Sequence, residues 1–347
     1  MKKLIIALTF LLAIGIFAPM PLEANEISVA IDGEQMDFDG MQMVVVDYRA
    51  LLPVRDIFEH LEFDVAWEHE TRTVHLSRYP EFAISITIGD DAFVNNGVEY
   101  PLDVPAQIID GRTLLPIRAV LESAGYYVVW DVDGYAVFIT SAPPEYIIMF
   151  GRQYSTSLTY LYFSWIDNTP LIAPEEVAQL RYMTNLTHLD LSGNQIHDIT
   201  PLAGLTSLRH LYVGMNQITD ITPLVGLRNL TSLSIADNNI NDIRPLARLT
   251  NMARLSISGN QISDITPLAG LTYLVSLSMD SNEISDLSPL VRLTNLDNMS
   301  LRNNQVTDIS PLAYLENLVW LDMEGNDITD LSPLDGLRNL GSVLVDK

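Results

Sequence analysis

A repeat with a period of 22 makes up the C-terminal half of the chain. Residues 208–229 read Leu208-Arg-His-Leu-Tyr-Val-Gly-Met-Asn-Gln-Ile-Thr-Asp-Ile-Thr-Pro-Leu-Val-Gly-Leu-Arg-Asn229. The first asparagine, the aspartate and the proline of this segment recur at every step of that period in seven consecutive copies. The asparagines are Asn194, Asn216, Asn238, Asn260, Asn282, Asn304 and Asn326. A fixed period of this length predicts a solenoid in which each repeat forms one turn of a coil.

The positions of the repeat have different predicted roles. Leu211 and Val213 point inward from a short strand, and the side-chain amide of Asn216 bonds backbone groups where the chain bends. Because neighbouring repeats make the same bonds, we expect a ladder of asparagines. On the outer side, Thr222-Pro223 is expected to start a helical turn, with the threonine hydroxyl as N-cap and the proline in the first position.

The aspartate column, which includes Asp220, admits two interpretations. It could be a ladder of calcium ligands, or each carboxylate could cap backbone N–H groups of its own turn. We favour capping, because no second acidic column follows at a regular spacing. Arg244 stands where the other six repeats have Ser or Thr, so its turn is expected to be the weakest.

The repeat resembles a known family. The unit Leu-x-x-Leu-x-Leu-x-x-Asn-x-Ile-x-Asp-Ile-Thr/Ser-Pro-Leu closely resembles the internalin-type leucine-rich repeat of bacterial surface proteins. The resemblance covers residues 186–347, nearly half of the chain. It implies an α/β leucine-rich-repeat solenoid with a parallel sheet on the concave face and short 3-10 turns outside.

Residues 142–185 are predicted to be a linker and the N-terminal cap of this solenoid. Leu158 and Leu161 have the same spacing as Leu186 and Leu189 of the first repeat, which indicates an additional strand before that repeat. Residues 173–180 predict a true helix with acidic residues in its first turn.

The concave surface is the expected binding surface. Residues on either side of the inward leucine of each strand point to this surface, and nine strands at ~4.8 Å spacing make it about 40 Å long. Exposed Tyr and Trp are typical anchors of protein interfaces. The candidate binding residues are Tyr160, Tyr162, His188, Asp190, His210, Tyr212, Arg254, Trp320 and Asp322. Alternatively, Tyr160 and Tyr162 pack under the cap or the linker.

His188 and His210 are one period apart and therefore lie on neighbouring strands. A metal pair with Asp190 nearby is conceivable, but exposed histidines on a repeat face are usually polar surface. We predict no metal ligand and no cofactor, and a pH-sensitive contact is the next interpretation.

Residues 25–141 contain a second internal repeat. Residues 49–59 read Arg49-Ala-Leu-Leu-Pro-Val-Arg-Asp-Ile-Phe-Glu59, and residues 112–122 read Arg112-Thr-Leu-Leu-Pro-Ile-Arg-Ala-Val-Leu-Glu122, at an offset of 63. Trp67 and Trp130 follow at the same offset. This pattern resembles the copper amine oxidase N-terminal-like domain, or stalk domain. The resemblance implies a small α+β module that spaces the protein or attaches it to the envelope.

Local signals predict how each copy folds. Pro116 is expected to be the first residue of a helix, and Gly125 to be its C-terminal cap. Glu62 occupies the position of Gly125 in the first copy, so that helix is expected to end differently. Arg55 with Glu59, and the equivalent pair in the second copy, Arg118 with Glu122, are interpreted as solvent-facing ion pairs.

Amine oxidase chemistry is not implied by the stalk resemblance. None of the 14 tyrosines lies in the Asn-Tyr-Asp/Glu context that forms the quinone cofactor of those enzymes, and the six histidines form no His-x-His pair. An enzyme would also need a nucleophile with a base, or a metal constellation, and the sequence offers neither. We therefore predict a protein that is not an enzyme.

Composition narrows the possible partners. The chain has 347 residues, 44 acidic and 19 basic, for a formal net charge of −25, and it has no cysteine. This balance disfavours nucleic acid and anionic lipid as partners. The absence of cysteine excludes disulfides and thiolate metal sites.

The N-terminus reads as a signal peptide, residues 1–24. Met1-Lys-Lys is followed by an apolar run from Leu4 to Phe17, too short to span a bilayer as a helix. We therefore expect a protein that is secreted or associated with the cell wall, with no integral membrane segment after cleavage. We also expect a monomer.

Two functions remain after these arguments. The first is a secreted or envelope-associated bacterial adhesion protein that binds a macromolecule, mainly a protein, through its concave face. The alternative is a structural component of the cell wall or extracellular matrix that binds envelope glycan through the stalk domain.

Overall fold

The computed structural model describes residues 28–36, 44–46, 49–102, 104–109, 111–131, 136–164 and 171–346. The predicted signal peptide, residues 1–24, lies outside them. The described residues of Asp37–Val120 form one compact unit, and Ser28–Met36 with the described residues of Leu121–Lys347 form a second. The boundary predicted at residue 141 between stalk and linker stays a prediction.

The elements are numbered in chain order. Strands of the N-terminal part are β1 Ser28–Ile31, β2 Glu34–Gln35, β3 Val44–Val46, β4 Arg49–Pro53, β5 Asp64–Glu68, β6 Thr73–Arg78, β7 Phe82–Thr87, β8 Ala92–Asn95, β9 Val98–Pro101, β10 Gln107–Ile109, β11 Arg112–Pro116, β12 Tyr127–Asp131, β13 Ala136–Thr140, β14 Tyr146–Met149 and β15 Arg152–Ser155. The solenoid strands are β16 Tyr160–Tyr162, β17 His188–Asp190, β18 His210–Tyr212, β19 Ser232–Ser234, β20 Arg254–Ser256, β21 Ser276–Ser278, β22 Asn298–Ser300, β23 Trp320–Asp322 and β24 Ser342–Leu344. The α-helices are α1 Val54–His60, α2 Ile117–Ser123 and α3 Pro174–Gln179. The 3-10 helices are Leu180–Tyr182, Thr200–Leu202, Thr222–Gly226, Arg244–Arg248, Thr266–Gly270, Ser288–Arg292, Ser310–Tyr314 and Ser332–Leu334. No helix in these stretches has the length and apolar composition needed to cross a membrane.

The first unit contains two antiparallel sheets, one in the order β10-β11-β4-β3 and one a meander from β5 to β9. Helix α1 buries Val54, Ile57 and Phe58, an apolar face with helical spacing. Pro53 is the N-cap of α1 with an extended backbone, and Pro116 is the last residue of β11. The prediction that Pro116 is the first helical residue is therefore wrong by one position, because both prolines still belong to the β4–β11 ladder.

Helices α1 and α2 end in the same way, so the expectation of a different ending is wrong. Gly125 has a φ of +82° and Glu62, at the equivalent position, a φ of +63°. The next residue in each copy donates its N–H to the carbonyl five residues earlier. Phe63 donates to Phe58 at 2.8 Å, and Tyr126 donates to Leu121 at 3.0 Å. Glu62 thus adopts the left-handed conformation typical of a glycine cap, at a cost of about 1 kcal/mol.

The second unit begins with a four-stranded sheet in the order β12-β13-β1-β2. Strand β1 pairs in parallel with β13, whose hairpin partner is β12. The second copy opens with a similar sequence, Ile84-Ser-Ile-Thr-Ile88 compared with Ile27-Ser-Val-Ala-Ile31, but its strand β7 pairs with β6 and runs antiparallel to it. The first strand of each copy therefore pairs with the hairpin of the other copy. Strand β1 of the first copy places Val29 opposite Val137 of β13, and β7 of the second copy places Ile86 opposite Val74 of β6.

The solenoid is one nine-stranded parallel sheet from β16 to β24, with the 3-10 helices on its other side. The predicted extra strand is β16, which pairs with β17, and the predicted cap helix is α3. The central residue of each strand is inward, from Leu161 to Val343, and the core runs continuously through every turn. The predicted fold class is confirmed.

The asparagine ladder has the predicted bonds. Asn260 Oδ1 accepts the N–H of Ile240 at 3.0 Å, and its Nδ2 donates to the carbonyls of Ile257 and Ile235, each at 3.0 Å. Ile235 belongs to the preceding turn, so each amide joins two turns. A buried amide that satisfies three backbone groups stabilises the bend of every repeat.

The outer turns are capped by aspartate. Asp220 Oδ1 accepts the N–H of Thr222 at 2.8 Å, and the N-cap position of that turn is Ile221, so the prediction of a threonine hydroxyl cap is wrong. Hydrogen bonds from the Thr222 side chain and backbone lower the pKa of Asp220. At the exceptional repeat, the Arg244 side chain replaces the hydroxyl and binds Asp242, with Nη2 at 2.6 Å from Oδ2.

Candidate functional site

The nine candidate residues all lie on strands of the parallel sheet, beside the buried central residue of their strand. Tyr160 and Tyr162 are 52% and 60% exposed, so neither packs under the cap. Arg254 is also exposed, whereas His188, Asp190, His210, Tyr212 and Trp320 are partly buried. The strand geometry therefore gathers these side chains on one surface because successive residues of a strand point to opposite faces.

Three rings are stacked at the N-terminal end of this surface. The rings of Tyr160 and His188 have centroids 4.4 Å apart, and those of His188 and His210 are 4.2 Å apart with planes 17° from parallel. The stack follows from register, because these three residues are direct partners on β16, β17 and β18. We call Tyr160, Tyr162, His188 and His210 the aromatic cluster.

One of the two stacked histidines, His210, is harder to protonate than a free histidine. Partial burial, then the charges of His188, Arg254 and Arg209, lower the pKa of His210. The Nδ1 atom of His188 lies 2.9 Å from Thr187 Oγ1, which holds the ring in place. In the part of the chain that the structure describes, no group of three His, Asp or Glu residues is placed to hold a metal ion.

The middle of the surface is formed by small hydroxyl side chains. Ser232 lies 3.3 Å from the Tyr212 hydroxyl, and Ser258 lies 2.8 Å from Ser278, Oγ to Oγ. These short side chains make a shallow polar floor between the two ends of the sheet.

Carboxylates dominate the C-terminal end of the surface. Asp322, expected to be an exposed binding residue, is buried there. Asp322 is 2% exposed and its Oδ2 accepts Arg302 Nη1 at 3.4 Å, so it supports the surface from beneath. Arg302 Nη2 also lies 2.9 Å from Glu324, and the Arg302 backbone N–H donates to Asp280 at 2.8 Å. At this end Arg302 is therefore exposed, whereas Asp280 and Glu324 are partly buried.

Sequence reasoning missed a third column of surface residues, just after the strands. Its members at this end are Ser258, Asp280, Arg302 and Glu324. They keep the period of the repeat, so extending the two chosen columns by one would have found them. A second ladder was also missed: Asn229, Asn251, Asn295, Asn317 and Asn339 donate to the carbonyl 23 residues earlier, at 2.8–2.9 Å.

Both halves of the chain have relatives among known proteins. Residues 30–139 match the family described as "Copper amine oxidase N-terminal domain", and residues 184–226, 228–270 and 250–292 match "Leucine Rich repeats (2 copies)". A curated protein named "Protease inhibitor" from Brevibacillus choshinensis is 28% identical over 102 residues. The chain covers only 29% of that relative's length.

Solved structures include internalins from Listeria monocytogenes. Internalin C2 is 36% identical, with a TM-score of 0.52, and the match covers 56% of this chain and 85% of that one. A second internalin, inlF, is 33% identical, with a TM-score of 0.42 over 56% of this chain and 70% of that one. The chain belongs to the internalin-type leucine-rich repeat proteins and carries a copper amine oxidase N-terminal domain before its repeats.

Proposed function

We propose that this is an exported adhesion or recognition protein that binds a protein partner through the concave face of its repeats. The observation that carries the proposal is the aromatic cluster, large exposed rings held on a regular sheet by their strand register. Tyrosine exposes a large rigid area at small entropic cost, which is why it anchors many protein interfaces.

The shape of the surface supports a macromolecular partner. From β16 to β23 there are seven strand steps, which at ~4.8 Å each separate the aromatic cluster from Trp320 by about 34 Å. A surface of that length with a shallow serine floor suits a protein better than a small molecule, which needs a concave pocket.

The distribution of charge supports a defined orientation of the partner. Arg209 and Arg254 lie near the aromatic cluster, whereas Asp280 and Glu324 lie towards the other end. A partner with acidic groups facing the arginines and basic groups facing Glu324 is complementary in one direction only. We propose such a partner, bound by a monomer of this chain, with no catalytic residue and no cofactor.

Export is part of the proposal and rests on the sequence. The signal-peptide pattern of residues 1–24 and the relation to internalins support a protein that is secreted or held at the cell wall. Fractionation of the producing cells tests this directly. We expect the mature chain in the medium or wall fraction, and its recovery only from the cytoplasm would contradict export.

The binding face is tested with two variants of the full chain. Tyr160→Ala with Trp320→Ala removes rings from both ends of the concave face, and Tyr273→Ala with Tyr314→Ala removes two exposed rings from outside it. Binding to a panel of surface extracts and extracellular-matrix proteins is measured by biolayer interferometry. We expect at least about a tenfold loss for the first variant only. Equal losses, or none in the first variant, would place the site elsewhere.

A further inference from the structure

The first unit contains a cleft of about 700 Å³ that the proposed function does not use. Its walls are the start of α1, the ends of β5 and β6 that carry Trp67 and Val74, and four residues of the β10–β11 region, Ile108, Gly111, Arg112 and Thr113. This volume is within the range of small-ligand sites.

Trp67 gives the cleft an aromatic wall. It pairs directly with Val74 across β5 and β6, so both side chains lie on the same face of the sheet. Val74 is buried, but Trp67 is 39% exposed at the cleft. A large ring that the fold leaves open beside apolar side chains is suited to stacking on a flat ligand ring.

Cationic groups line the same cleft. Arg55, Arg72 and Arg112 all contribute to the lining, which among the described residues contains Asp56 as its one carboxylate. Arg55 is neutralised by Glu59, with Nη1 2.6 Å from Oε1. The side chains of Arg72 and Arg112 make no ion pair or hydrogen bond with other described residues.

In a chain with a formal net charge of −25, these two guanidinium groups in one cleft favour an anionic ligand. Guanidinium groups bind carboxylate and phosphate through two parallel hydrogen bonds. Indole faces, in turn, are apolar and flat enough to cover the C–H face of a sugar ring.

We propose that this cleft binds an anionic saccharide, with the sugar ring against Trp67 and its acidic group between Arg72 and Arg112. Trp130, the equivalent residue of the second copy, is only 8% exposed, so its ring is not open to a ligand as that of Trp67 is. The inference concerns a different unit of the chain and does not depend on the proposed function of the repeats.

The test uses the full chain and three tetrasaccharide probes in isothermal titration calorimetry: an oligoglucuronate, a phosphorylated cello-oligosaccharide and neutral cellotetraose. We expect an anionic probe to bind at least about tenfold more tightly than cellotetraose, and the affinity to fall with added salt. The tighter of the two anionic probes identifies the acidic group as carboxylate or phosphate.

Matched variants test the residues. Arg112→Gln should weaken binding of the better probe at least about tenfold, whereas Arg152→Gln should not. The two positions are matched because each arginine is exposed, is the first residue of its strand and directly follows a glycine with positive φ. Trp67→Ala should weaken binding and Trp67→Phe should retain part of it, while Trp320→Ala, in the repeats, should have no effect. Equal effects of Arg112→Gln and Arg152→Gln, unchanged binding in Trp67→Ala, or equal affinity for the neutral probe would overturn the proposal.

Discussion

Trp67 and Trp130 occupy equivalent positions in the two copies of the duplicated motif, yet Trp67 is 39% exposed and Trp130 only 8%. Each follows a five-residue strand and a seven-residue helix, and each lies in the first strand of the hairpin that comes next, β5 for Trp67 and β12 for Trp130. In the second unit, Gln179 of α3 reaches the Trp130 backbone, and the Tyr182 hydroxyl lies 2.9 Å from the N–H of Val128. Helix α3 therefore packs against β12, the strand that carries Trp130, whereas Trp67 stays open to solvent.

The glutamates of the two motifs show the same contrast. Glu59 forms the predicted exposed ion pair with Arg55. Glu122 instead accepts hydrogen bonds from Arg181 and, at 2.7 Å, from the Tyr182 hydroxyl, and is largely buried. The similar sequences of the two copies therefore form the same local elements. The elements packed against each copy decide whether an equivalent side chain is exposed to solvent or bonded to the rest of the protein.

The largest effect is expected at Gln179, which bonds the backbone of both β12 and β14. Gln179→Leu removes an amide that bonds the Trp130 carbonyl and both backbone groups of Ile148. We expect a loss of about 3–5 kcal/mol in the free energy of unfolding, measured by urea titration, because buried backbone groups lose their partners. Gln153→Leu, at an exposed position opposite Ile148, is the control and should change little. Similar effects would show that Gln179 is not a key contact.

A smaller effect should separate the two glutamates. Glu122→Gln weakens charge-assisted hydrogen bonds to Arg181 and Tyr182, for an expected loss of about 1–3 kcal/mol. Glu59→Gln affects a solvent-exposed pair and should cost less than about 0.5 kcal/mol. Both are measured by the same urea titration, and equal losses would contradict the contrast between the copies.

The smallest effect concerns the common helix ending. Glu62→Gly removes the cost of a left-handed glutamate and should raise the free energy of unfolding by about 1 kcal/mol. Gly125→Ala introduces that cost in the second copy and should lower it by about the same amount. Thermal unfolding measures both variants, and the two changes in stability should be opposite. Destabilisation by Glu62→Gly would mean that the Glu62 side chain makes a stabilising contact.

The regular half of the fold could be predicted from sequence because its contacts repeat at a fixed spacing. The period of 22 places Asn216 and its counterparts at every bend, and the strands follow in register. It also places all nine candidate residues on one sheet. The period could not show that Asp322 is buried, because that depends on Arg302 in a column that the pattern analysis did not include.

Sequence patterns alone were enough to predict the solenoid, the duplicated motif and their local elements. These depend on repeats and on the spacing of apolar, proline and glycine residues over short stretches of chain. The pairing of β1 with β13, the covering of Trp130 and the position of Trp67 in a cleft became known only from the folded chain. The physical reason is that strand exchange and burial are set by contacts between distant segments, and two copies of one motif offer the same local signal for either outcome.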